Sequence, residues 1–130
     1  MDISKAFADP KLEKAGVWLE YRDGSQVKVA RAGNQVFSRA HAARMKPHLR
    51  KQRDGNMDAE VETRILCEAI AEGILVDWKG FEEDGKELKY TKARASALLI
   101  SSMDFRNEVV ELAATEAYFH ADFEEASIKN

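Results

Sequence analysis

The sequence predicts an α+β fold, mostly helical, with an N-terminal β-hairpin packed on a bundle of about four helices. Three observations carry this expectation. Residues from Val17 to Ala30 alternate between apolar and polar around an Asp-Gly pair, which is the period of strands joined by a tight turn. From Asn34 onward apolar residues recur at spacings of three and four, and a residue able to cap a helix opens each run. The length, 130 residues and 14.6 kDa, fits one domain that buries roughly two-thirds of its unfolded surface and needs no disulfide.

Residues 1 to about 14 read as a flexible start holding at most a short helix. In the hairpin, Trp18, Glu20 and Arg22 point one way and Val17, Leu19 and Tyr21 the other, and Asp23-Gly24 turns the chain with the positive φ that a turn between twisted strands requires. Gly33 ends the second strand, and Asn34 caps a helix predicted to reach Gln52, with Pro47 kinking or splitting it. Its apolar face is thin: Ser38, Ala42, Met45 and Leu49 line up, and Phe37 and Ala40 fall elsewhere.

After a break at Gly55, Asn56 or Asp58 caps a second helix whose broad face of Val61, Ile65, Leu66, Ala69, Ile70, Gly73 and Ile74 marks it as the centre of the core. "LVDWKGFEEDGKELKY" then reads as short extended pieces turned at Asp84-Gly85. Thr91 caps a third helix from Lys92 to about Ile100, packing Ala95, Leu98 and Leu99. Ser101, with Asp104 three residues on, reads as the capping box of a fourth helix carrying Phe105, Val109, Leu112 and Ala113, with Phe119 as a further candidate. Residues 119–130 are polar and acidic and read as a fraying end.

Formal net charge is −3, but it is unevenly placed: 12 basic against 5 acidic residues up to Arg53, then 8 against 18. Such a split suits nucleic-acid binding by the basic half, self-association, or an acidic arm that holds a partner. The one cysteine, Cys67, lies in an apolar helical pattern and reads as a buried thiol in a chain from a reducing compartment. The charged N-terminus has no apolar run, so neither a signal peptide nor a membrane span is expected.

Catalytic patterns are missing from the sequence. His41, His48 and His120 have no cysteine or carboxylate at metal-ligand spacing beside them. The cluster Asp77, Glu82, Glu83 and Asp84 lacks the alternating carboxylates of a calcium loop. With no phosphate loop, no nucleophile elbow and no nucleophile paired to a base, no enzyme and no cofactor are expected.

Two binding surfaces remain. On the fourth helix, Val110, Ala114, Ala117 and Tyr118 lie roughly 140° or less from the core-facing residues, and with Phe119 and Phe123 they form the expected partner-binding set, flanked by Glu108, Glu111, Glu116, Glu124 and Glu125, with an ordinary packed helix and a solvated tail as the alternative reading. The excess of apolar residues there also predicts self-association. The alternative is nucleic acid: Arg39, Lys46, Arg50 and Arg53 would share one side of an unbroken helix and could track phosphates. No recognition helix and no interleaved stacking aromatics accompany them, so a solvated flank explains them better and nucleic acid is the lesser expectation.

The stretches "VWLEYRDGSQVKVARAGNQVFSR", "LCEAIAEGILVDWKGF", "DGKELKYTKARASALL" and "DFRNEVVELA", taken in order, resemble the tail assembly chaperones of long-tailed bacteriophages. The likeness runs from about Val17 to Leu112. Three patches carry it: Ala30 to Asn34, Asp77 to Gly80, and Tyr90-Thr91 before a Leu-Leu helix. The resemblance implies a small, mostly helical, non-catalytic phage or prophage protein of the host cell cytoplasm. It implies the tape-measure protein as partner, the tail tube protein as a further one, and absence from the mature virion. It also implies an upstream frame that slips near its end, for which Lys129-Asn130 would be the place.

Overall fold

The computed structural model describes residues 1–126, except for the side chain of Ser4. Two short helices, α1 (Ile3–Ala6) and α2 (Pro10–Ala15), precede the strands β1 (Val17–Glu20) and β2 (Gln26–Val29). Helix α3 (Gln35–Met45) passes through a single 3-10 turn (Lys46–His48) into α4 (Leu49–Arg53). Helix α5 (Ala59–Gly73) leads into β3 (Leu75–Lys79) and the small ribbon β4 (Glu82–Glu83) and β5 (Lys86–Glu87). Helices α6 (Lys92–Ser101) and α7 (Met103–Ala114) follow, and a 3-10 turn (Glu116–Phe119) opens the tail. The expected α+β fold with its mostly helical content is present.

The hairpin turns at Asp23 (φ 54°) and Gly24 (φ 78°), the pair that its sequence marked. It is one part of a three-stranded antiparallel sheet in which β2 is central and β3 is the second edge. The extended piece was expected, but its place beside the hairpin was not, because its alternation is broken. Val27 faces Trp78 and Val29 faces Leu75 across the ladder, with an irregularity between Lys28 and Val29. That bulge puts Leu75 and Trp78, three apart and nominally on opposite faces, on the same buried face.

Against this face sits a core of Cys67, Ile70 and Ala71 from α5, Ile74 just after it, Ala95 and Leu99 from α6, and Phe105, Val109 and Ala113 from α7. Helix α5 is its centre, in contact with α3, α6 and β3. It approaches α3 so closely that a Cβ on Gly73 would lie 2.4 Å from the Phe37 backbone nitrogen. Pro47 divides the predicted long helix as expected, within the 3-10 turn.

The Ala30–Asn34 junction ties four elements together. Ala30 N–H donates to Ile74 O, Arg31 N–H to Glu13 O, and Ala32 N–H to Ala113 O. The Asn34 side chain accepts from Phe37 N–H, capping α3, and donates to Gly73 O at 2.8 Å, satisfying a carbonyl at the end of α5. Trp78 likewise donates from Nε1 to Leu88 O, and Tyr90 OH donates to Leu75 O.

Three local expectations are corrected. The buried side of α3 is Ala40 and Met45 with half-buried Phe37, His41 and Arg44, whereas Ser38, Ala42 and Leu49 are exposed. Helix α7 is capped by Ser102, whose Oγ accepts from Phe105 N–H, while Ser101 Oγ donates back to Leu98 O. Residues 1–14 hold two helices, and Asp9 N–H donates to Phe119 O at 2.8 Å. Lys129-Asn130, the place considered for a frame slip, lies outside the described residues.

Candidate partner-binding surface

Helix α7 exists because Ser102 caps it and Asp104 favours its positive end. Phe105, Val109 and Ala113 recur at i, i+4 and i+8 and are buried. Advancing about 100° per residue, Met103, Val110 and Ala114 form a separate row, and all three are exposed, Met103 at 64% and Val110 at 38%. Asp104, Glu108 and Glu111 run beside that row, so an apolar strip carries an acidic flank.

The hairpin turn fixes the far side of the flank. Glu108 accepts from Tyr21 OH at 3.0 Å and from Arg22 Nη2 at 2.6 Å. Its hydrogen bond with Arg22 holds the Glu108 carboxyl below its ordinary range, opposed by desolvation and helped by the bond from Tyr21. Burial, then the Glu108 hydrogen bond, pushes the Tyr21 hydroxyl up to about 12. The Tyr21 ring contacts Phe105 edge-on at 6.0 Å and stacks on Phe81 at 6.1 Å, so the latch is anchored in the aromatic cluster that includes Trp78. Between latch and tail opens a cavity of about 500 Å³ lined by Tyr21, Arg22, Glu108, Glu111, Leu112, Thr115 and Tyr118. Sequence reasoning missed Tyr21 and Arg22, which lie more than 80 residues from Glu108; no local pattern links them.

The six residues expected to bind a partner divide. Val110, Ala114 and Ala117 are exposed; Tyr118 and Phe123 are half-buried with their rings 5.1 Å apart. Phe119 is corrected: it is 0% exposed, lies in the core, and has the Arg31 guanidinium 5.6 Å above its ring. The tail returns to the body here, which places the ring inside.

The basic set is also divided. Arg39 lies on α3, Lys46 in the 3-10 turn, and Arg50 and Arg53 on α4, all exposed. The helix is not continuous, so the single unbroken side that would align them does not form. The charge split is partly closed within the fold, because Arg22–Glu108 and Arg44–Glu72 join the basic and acidic halves.

Cys67 is buried and its thiol is pushed up by that burial, opposed by Arg106, whose Nη1 lies 3.9 Å from Sγ. His41 stacks on Phe37 and His120 meets Glu116 at 3.0 Å. Among the described residues, no group of three or more His, Cys, Asp or Glu side chains is placed to hold a metal ion, and no helix is long and apolar enough to cross a membrane.

No curated protein and no solved structure matches the chain. One family model does, described as YdaY prophage protein, and its match covers residues 32–130. The matched span starts inside the junction and takes in α3 through α7, the α7 surface included. On that match, which covers well over half of its length, the chain belongs to the YdaY prophage protein family.

Proposed function

We propose that this prophage protein is a non-catalytic tail assembly chaperone that binds the tape-measure protein through the outer face of α7 and assists tail tube assembly. The observation that carries the reading is the second apolar row of α7: Met103, Val110 and Ala114 stay exposed beside Asp104 and Glu111 while Phe105, Val109 and Ala113 fill the core. Such a row accepts an amphipathic helix. Its apolar contacts supply affinity, and the acidic flank selects a partner helix with basic residues along one edge and fixes its register. Small side chains at Ala114 and Ala117 limit the buried area, which suits a coat that must come off. Prophage family membership and the resemblance to tail assembly chaperones support the assignment. The protein then acts in the host cytoplasm, leaves before the virion matures, and self-associates along the partner, with the tail tube protein as a second contact.

The test is co-expression with the long helical protein encoded nearby in the prophage. A stable complex whose partner is soluble only when this chain is present supports the reading. Partner and chain that elute separately at moderate salt contradict it.

A second reading rests on the exposed cations Arg39, Lys46, Arg50 and Arg53, which would hold nucleic acid by phosphate contact. Retention on DNA that weakens steeply with salt, and that Arg50→Glu with Arg53→Glu abolishes, would favour it over the first.

A further inference from the structure

Strand β1 is an edge of the sheet, and edge strands present unpaired donors and acceptors that a second strand can join. Tyr21 N–H donates to Ser25 O, so the Leu19–Val27 and Val17–Val29 pairs exchange the ladder bonds, and the N–H and C=O groups of Trp18 and Glu20 point outward. Sequences blunt such an edge with short length, charged side chains, proline, a bulge or a covering loop. Val17, Trp18, Leu19 and Glu20 include neither lysine nor proline, and the β1–β2 register runs without interruption.

Beyond the shortness of β1 and the charge of Glu20, the C-terminal segment supplies the covering loop. Trp18 N–H donates to the Glu125 carboxylate at 2.9 Å, and Ala126 N–H donates to Trp18 O at 3.1 Å. Both outward groups of Trp18 are therefore occupied, one of them by a side chain that stands in for a strand carbonyl. Among the described residues two hydrogen bonds make this contact, and it is the last described contact along the chain. Phe119, buried in the core, anchors the segment at its other end.

We propose that residues 124–126 are a removable guard on the β1 edge, and that opening the guard lets two copies of the chain join β1 to β1 about a two-fold axis. The occupant is a second copy because a freed edge is self-complementary under two-fold symmetry: with the axis at Leu19, the outward N–H and C=O of Trp18 in one copy meet the C=O and N–H of Glu20 in the other, in antiparallel register. The strand's three apolar side chains and its lack of a repelling lysine favour that pairing. This surface is separate from the α7 face and stands whether or not that face binds a tape-measure protein.

Two variants test it beside the intact chain by sedimentation and amide exchange. One ends at Phe123; the other is the full chain with Glu125→Ala and Ala126→Pro, which removes the acceptor and the donor and leaves the rest. The expected result is an added association step, doubling the mass reached by the intact chain at the same concentration, with faster Trp18 amide exchange at low concentration. Glu20→Pro in either background should reverse the added step, because it removes an outward donor without touching the β1–β2 ladder. Folded variants with the mass of the intact chain overturn the proposal, as does an added step that Glu20→Pro leaves in place. Loss of the fold in both variants also overturns it, since the segment would then be a structural member and not a guard. Capture of an unrelated extended peptide without self-pairing would identify another occupant and overturn the choice of a second copy.

Discussion

The α3–α4 arm and helix α7 make opposite use of similar material. Each begins with a side-chain cap, Asn34 for one and Ser102 for the other. Helix α7 turns large apolar residues inward and keeps a second row outside. The arm packs α3 with small or amphipathic residues against Gly73 and then ends in α4, whose five residues are all exposed, Leu49 at 54%. A helix that packs with large side chains announces its face in the sequence. One that packs by close backbone approach does not, and Ala40, the Phe37 backbone and the Arg44–Glu72 pair leave little hydropathy signal.

The contrast can be broken most forcefully at the tail of the α7 side. Phe119→Ala should cost about 3–5 kcal/mol, the range for deleting a fully buried aromatic ring, and thermal or urea unfolding measures it. Trp78→Ala should fall in the same range, because the indole is 3% exposed and stacks 4.6 Å from Phe81. Urea unfolding followed by circular dichroism reads that cost. If both changes are nearly neutral, the tail and the β3 bulge do not belong to the core.

On the arm, Gly73→Ala drives a methyl into the Phe37 backbone and should cost about 1–3 kcal/mol, as overpacking does. Asn34→Ala should cost about 1–2 kcal/mol for the lost cap, together with an uncompensated Gly73 carbonyl. Urea midpoints at constant slope compare the two. If Asn34→Ala costs no more than an ordinary surface change, under about 0.5 kcal/mol, the junction is not what fixes the arm.

The latch beside α7 sharpens the comparison through pH. A carboxyl held below its ordinary range stabilises the fold above the free-glutamate value of about 4.3 and loses that contribution as pH falls through its lowered folded value. Acid should therefore weaken the intact chain more than Glu108→Gln, with the difference growing below about pH 4.3. Tyr21 and Tyr90 act in the other direction. Both are raised to about 12, chiefly by burial, so stability is full below pH ~10 and falls as pH rises toward the folded values. Tyrosinate absorbance followed in Tyr21→Phe and Tyr90→Phe should show each removed ring to be late-titrating.

What was legible follows the same line. The Asp23-Gly24 turn, the caps at Asn34, Asp58 and Thr91, the split at Pro47 and the central α5 are local or strongly periodic, and the structure has them all. The pairing of β3 with the hairpin was hidden by its bulge, and the α3 face by its small residues. Phe119 was misplaced because "FHADFEE" reads as solvated unless the docking of Asp9 and Arg31 is known. At the candidate surface, the exposed row of α7 was readable from helical spacing, whereas the Tyr21–Arg22–Glu108 latch needs a contact between residues far apart in the chain. The patches that carried the family likeness are structural: Ala30–Asn34 and Trp78 build junctions, and neither lies on the α7 face.

The smallest expected effect on stability gives the most direct test of the central claim, that the outer face of α7 and not the basic arm holds the partner. Val110 is partly exposed, so Val110→Asp should change stability by under about 0.5 kcal/mol, and Arg50→Glu with Arg53→Glu should do the same. The measurement is the affinity of each folded variant and of the intact chain for the tape-measure protein, by titration at one salt concentration. At least about a tenfold loss is expected for Val110→Asp, equivalent to about 1.4 kcal/mol, with intact-like binding for the double arginine variant. Unchanged binding by Val110→Asp, with loss in the arginine variant, would contradict the claim and move the partner to the α3–α4 arm.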